Sequence, residues 1–158
     1  MTPAELERYL HAHIPLSRAM EVSVVRISED SVTLGAPLAP NINHRETVFG
    51  GSAAALATLA AWSLLHLRLL RQPTACRLVV QRNTMDYLAP ITGEFTAASS
   101  LPEPAAWERA VRMLVRKGMA RFSVVAEVCA AGAVAGRFAG EFAALATETR
   151  QSRIGGAR

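Results

Sequence analysis

The sequence predicts an α+β domain in which an antiparallel sheet curls around one long buried helix. Three observations carry that expectation. The stretch from Ser52 to Arg71 is apolar on every face and has no acidic residue between Gly51 and Arg71, and a helix without a polar side has to be enclosed. Segments with two-residue alternation lie on both sides of it. Those segments follow one another in runs, which favours antiparallel pairing over the strict helix–strand order of a parallel sheet.

The elements follow in order. Thr2-Pro3-Ala4-Glu5 is a helix start, with a Thr cap, Pro at the first helical position and an early acid. That helix should stop before Ile14-Pro15. Met20, Val22 and Val24 alternate with Glu21 and Ser23, the period of a half-buried strand. Ser28-Glu29-Asp30 is a turn, and Val32, Leu34 and Ala36 complete a hairpin. Residues 40–51 are polar and irregular, and the all-apolar helix follows until Gln72-Pro73. Cys76 to Tyr87 reads as a long strand and Glu94 to Ser100 as another. Pro102 and Pro104 open an amphipathic helix whose apolar stripe is Trp107, Ala110, Val111, Leu114 and Val115, closed by Gly118. Two final strands are set by Phe122, Val124, Ala126 and Val128, and by Val134, Phe138 and Phe142.

At 158 residues the chain has room for one domain, expected over residues 1–148, with a basic tail over 149–158. The 51% hydrophobic content excludes a disordered chain, and the low 6% of aromatics points to a core of small residues in close contact. Cys76 and Cys129 stand far apart in apolar surroundings and read as free, buried thiols of a cytoplasmic protein. The start of the chain has no apolar signal region. The apolar run from Ala53 to Leu65 reads as too short to cross a bilayer. The net charge of +4 would welcome an acidic partner. Arg68, Arg71, Arg77 and Arg82 form one basic cluster; Arg109, Arg112, Arg116, Lys117 and Arg121 form another. Nucleic acid is not expected, because aromatics do not interleave with these residues. His11 and His13, two apart on a helix, face different ways, so no metal pair is expected. His66, on the apolar helix, reads as a hydrogen-bonded core histidine.

The stretch Asn43-His44-Arg45-Glu46-Thr47-Val48-Phe49-Gly50-Gly51-Ser52 runs into the buried helix. A helix N-terminus presents unsatisfied N–H groups with partial positive charge, and two glycines would let a carbonyl approach them. That arrangement suits a developing oxyanion. The same glycines would also serve a tight loop-to-helix transition with no chemical role.

Asn43-(x)7-Gly51, with Gly50-Gly51 opening the apolar helix, resembles the hot-dog thioesterases of the phenylacetate-pathway type. Asn83-Thr-Met-Asp-Tyr87-Leu-Ala-Pro90-Ile-Thr-Gly93-Glu94 is similar to the strand-and-turn signature of that fold. His13-Ile-Pro15-Leu, Pro40-Asn-x-Asn43 and Phe49-Gly-Gly-Ser52 together resemble the YiiD C-terminal-domain family of thioesterase-like proteins, some of whose relatives decarboxylate malonyl-acyl carrier protein. The resemblance spans residues 5 to 147. It implies a hot-dog fold, an acyl-CoA or acyl-carrier-protein substrate and no cofactor beyond the coenzyme A or phosphopantetheine of that substrate. It also implies a homodimer or dimer of dimers with sites at the interface. Asn43 would polarise the thioester carbonyl and the Gly51 amide would complete the oxyanion hole. His44, Thr47, Phe49, Gly50, Ser52, Thr58, Asn83 and Tyr87 would contact substrate, the segment around Asn83 to Tyr87 reaching the site from the other subunit.

Two positions depart from the pattern. Phe49 stands where the histidine of His-Gly-Gly would be, and Thr58 where the helix acid would be. Threonine is no general base near neutral pH, so a carboxylate-assisted route from that helix is closed. Hydrolysis would rest on neutral donors. Decarboxylation of a malonyl thioester needs less, because the substrate carries its own leaving carboxylate and only the enolate must be stabilised. A non-catalytic acyl-binding module is the third reading.

Overall fold

Thr2 caps α1 (Pro3–His13) reciprocally: its side chain accepts from the Glu5 amide at 3.3 Å and the Glu5 carboxylate accepts from the Thr2 amide at 2.7 Å. Leu6 and Leu10, one turn apart, are fully buried. A short helix, α2 (Pro15–Ala19), fills the stretch between the Ile14-Pro15 stop and the alternating residues that start at Met20. Met20 caps it and Glu21 takes a left-handed φ of 55°, so β1 (Ser23–Ile27) starts three residues later than Met20. Met20 and Val22 are still buried; their apolar character records packing, not a pleat.

The computed structural model describes residues 1–147, and the basic tail expected over 149–158 lies outside the described residues. After β1 come β2 (Ser31–Ala36), a 3-10 turn at Ala39–Asn41, α3 (Gly50–Leu69), β3 (Cys76–Tyr87), β4 (Phe95–Ser100), α4 (Pro104–Lys117), β5 (Met119–Ala130) and β6 (Ala133–Ala146). The six strands form one antiparallel sheet in the order β1-β2-β4-β5-β6-β3. β3 therefore leaves the end of α3 and crosses to the far edge, where β6 is its one neighbour among the described residues.

The sheet curls around α3, as the sequence predicts. Leu56, Ala57, Ala60, Ala61, Leu64 and Leu65 are buried almost completely, and the alanines let strand and helix approach closely. Ser99 on β4 places its hydroxyl 2.9 Å from the Ala60 carbonyl and 3.1 Å from that of Val32, tying sheet to helix. One strip of α3 stays partly open: Gly51, Ala55, Thr58, Trp62 and His66, spaced by three and four. By length and composition α3 does qualify as a membrane span, which corrects the argument from length. What distinguishes it is its enclosure by the sheet.

On α4, Trp107 and Leu114 are buried as the stripe required, whereas Val115 is 57% exposed. Eight residues turn the helix by roughly 80° beyond two full turns, which carries Val115 off the narrow inner face. Gly118 takes the left-handed cap at φ 72°. Arg68, expected within a basic cluster, is committed internally. Its guanidinium lies 4.5 Å over the Trp107 ring and 2.8 Å from Asp30, joining the end of α3 to α4 and to the β1–β2 turn.

Candidate active site

The loop entering α3 closes on itself. Ile42 and Val48 form an antiparallel bridge, and the Asn43 amide donates to the Thr47 carbonyl at 2.8 Å. Asn43 organises the turn from inside. Its Oδ1 accepts from the Arg45 amide at 2.8 Å and the Thr47 amide at 3.3 Å, and its Nδ2 donates to Thr47 Oγ1 at 3.0 Å. The remaining Nδ2 proton faces the Val48 carbonyl at 3.5 Å, the long limit of a hydrogen bond. These bonds support a left-handed φ of 60° at Glu46.

Asn41, which sequence reasoning passed over, anchors the loop. It is 2% exposed, and its Nδ2 donates to the Met20 and Pro37 carbonyls at 3.0 and 2.8 Å. Its own carbonyl accepts the Phe49 amide at 2.7 Å, while the Val48 amide reaches the Ile91 carbonyl at 2.8 Å. The signal was in Pro40-Asn-x-Asn43, where two asparagines stand two apart and only the second was singled out.

Phe49 is the cap residue of α3 and makes no side-chain cap bond; its carbonyl takes the Ser52 and Ala53 amides. The Gly50 and Gly51 amides have no acceptor among the described residues. They are the free donors at the positive end of a 20-residue helix. Each glycine lies under an aromatic ring. A Cβ on Gly51 would overlap the Phe49 ring, and one on Gly50 would sit 3.2 Å from the Tyr87 ring. Tyr87 Oη also donates to the Gly50 carbonyl at 2.9 Å.

Beside Gly50 is a cavity of about 340 Å³, lined by that glycine and chiefly by Val48, Ala53, Met85, Tyr87, Leu88 and Ile91. Among the described residues no acid or histidine lines it. Gly50 and Tyr87 are thus brought together, with Phe49 and Gly51 adjoining. Within this chain Tyr87 lines the cavity beside Gly50. Ser52 is half-buried and its hydroxyl has no partner among the described residues. Thr47 is spent on Asn43, and Thr58 donates to the Ala54 carbonyl of its own helix at 2.8 Å. His44 is exposed at the loop tip. Asn83 is exposed on β3 opposite Gly140 and does not line the cavity. The wall from Leu88 to Ile91 was missed, although its apolar run directly after a strand was the available sign.

His66 stacks between Trp62 and Tyr9, with ring centroids 4.5 and 5.1 Å away. Its Nε2 is buried without a partner, which corrects the expectation of a hydrogen-bonded imidazole. Burial holds its pKa below the ordinary histidine value. The unfolded chain therefore takes up a proton more readily than the folded one, and stability should fall as pH drops below about 6.5. The urea midpoint should decline between pH 7.5 and 5.5 in the native protein and decline less in His66→Phe; equal slopes would exclude this origin. Cys76 and Cys129 are free and only half-buried, and burial pushes both thiols up. Among the described residues no three His, Cys, Asp or Glu side chains gather as a metal site would require.

Comparison with known proteins agrees with this architecture. Residues 3–146 match the family model described as "Putative thioesterase (yiiD_Cterm)". A protein of unknown function from Chlorobaculum tepidum TLS is 29% identical, covers 92% of this chain and 94% of its own, and superposes with a TM-score of 0.86. A "putative thioesterase" from Shewanella oneidensis is 23% identical over 90% of this chain and 96% of its own, with a TM-score of 0.77. A thioesterase from Haemophilus influenzae shares the hot-dog architecture at 11% identity, over 96% of this chain and 95% of its own, with a TM-score of 0.74.

Proposed function

The chain belongs to the "Putative thioesterase (yiiD_Cterm)" family, and from that premise we propose that it hydrolyses acyl thioesters at the N-terminus of α3. The observation that carries the proposal is the pair of free Gly50 and Gly51 amides at the start of α3, where Gly50 lines an apolar cavity. An acyl group enters the cavity, its carbonyl oxygen accepts from the Gly51 amide, and Asn43 turns its weakly held Nδ2 proton toward the same oxygen. Water adds to the carbonyl carbon, the oxyanion gathers charge against donors already in place, and the carbon–sulfur bond breaks. The thiolate leaves and takes the proton. The acyl donor is acyl-CoA or an acyl carrier protein, and no cofactor is required beyond the thiol of the substrate.

A second reading rests on a cavity wall whose described residues include no carboxylate or imidazole. In decarboxylation of a malonyl thioester, the bond to the carboxylate breaks, carbon dioxide leaves, and its electron pair becomes a thioester enolate that takes a proton from water. The same amides stabilise that enolate, and no base is needed. We place the working form as a homodimer or dimer of dimers, a cytoplasmic assembly. β3 offers an unpaired edge with Val79 and Val80 exposed, and α3 keeps its open strip alongside.

Malonyl and longer acyl thioesters incubated with the purified protein should release free thiol, read by mass spectrometry. Acetyl thioester without free thiol would replace hydrolysis by decarboxylation. Tight acyl binding with neither product would leave a binding module.

A further inference from the structure

We infer that Tyr87 is a positioning residue that aims and polarises the Gly51 amide through the peptide group Gly51 shares with Gly50, an inference that rests on the acyl-thioester reading of the site. The Gly50 carbonyl and the Gly51 N–H belong to one planar trans peptide and point in opposite directions. A hydrogen bond at one end therefore fixes the direction of the other. Tyr87 Oη makes that bond to the Gly50 carbonyl at 2.9 Å, and its ring lies against Gly50, which lines the cavity.

Helical pairing already directs this peptide, and Tyr87 adds a second donor to the Gly50 carbonyl from outside the helix. Phe49, the residue before the two glycines, provides no side-chain cap to steady the turn. Donation to the carbonyl also draws electron density from the peptide nitrogen, so the Gly51 N–H becomes a better donor to an oxyanion. The Thr58 hydroxyl, also expected at the site, is tied to the Ala54 carbonyl and cannot take this part. Tyr87 in turn is placed by β3, whose last pair is Tyr87 with Gly136 of β6. The edge strand thus holds the tyrosine against the first turn of the helix.

Tyr87→Phe keeps the ring over Gly50 and removes only the hydroxyl. In a nitrogen–proton correlation spectrum the Gly51 amide of the variant should shift and broaden, while amides of the distant β1–β2 hairpin stay in place. On a thioester the wild type turns over, kcat should fall by about tenfold with KM unchanged within about twofold, because the interaction strengthens as charge develops. The melting temperature should be unaltered. A Gly51 signal identical in both proteins overturns the inference, whatever the activity. A displaced Gly51 signal with kcat unchanged overturns the catalytic consequence. A wild type that processes no thioester defeats the acyl-thioester reading instead, and the Gly51 signal then decides on the latch by itself.

Discussion

Asn43→Ala should lower kcat on thioesters by on the order of 10²-fold, the scale found when one side-chain donor to an oxyanion is deleted. The geometry makes the interpretation two-sided. Oδ1 of Asn43 holds the Arg45 and Thr47 amides, and Nδ2 holds Thr47 Oγ1, so truncation also slackens the loop that delivers the chain to Gly50. Asn43→Asp separates the two effects. It retains acceptors for both amides and removes both Nδ2 protons. If Nδ2 serves the reaction, the aspartate variant keeps its melting temperature and loses at least as much activity as the alanine variant, because a carboxylate also repels the oxyanion. If Asn43 only shapes the loop, the aspartate variant works normally. Full activity in Asn43→Ala would remove the residue from the mechanism altogether.

Phe142→Ala should cost about 3–5 kcal/mol of stability, the range for emptying a buried aromatic site. Phe142 is fully buried on β6, opposite Phe122 of β5 on one side and Val80 of β3 on the other. The row it anchors is how the central sheet holds its edge strand. At this chain length the loss corresponds to a fall in melting temperature of roughly 10 °C or more. Phe142→Leu, which refills most of the space, should cost much less. Calorimetry at fixed protein concentration measures both, since any self-association would add to apparent stability. A drop below about 1 kcal/mol for the alanine variant would mean that the inner face of β6 repacks freely.

Much of the fold was legible because its signals are local. The absence of charge from α3 demanded enclosure, and the alternation of Phe122, Val124, Ala126 and Val128 set β5 in register with the core. Where the reading slipped, two residue patterns coincided. Met20 and Val22 are apolar two apart, as in a strand, yet one caps α2 and both pack inward around a left-handed Glu21. Val115 continued a helical stripe by arithmetic and lay beyond the face that the sheet covers.

The site divided along the same line. Its glycines and Asn43 were visible in a single ten-residue stretch. The contact of Tyr87 with Gly50 joins positions 37 apart and depends on β3 crossing to the far edge of the sheet. No local pattern encodes that approach. Nor does spacing reveal that Thr58 spends its hydroxyl on its own helix, because an exposed threonine on the same turn would look identical in sequence.

That crossing has a consequence for biosynthesis. β3 emerges from the ribosome long before β6, its neighbour in the sheet among the described residues. A nascent chain must therefore carry a twelve-residue strand with both edges open until β6 has been made. Pairing of β3 with β6 closes a loop of some fifty residues or more, a contact of the kind that slows folding. β6 covers the inner edge of β3, and until then the chain is at its most prone to associate wrongly.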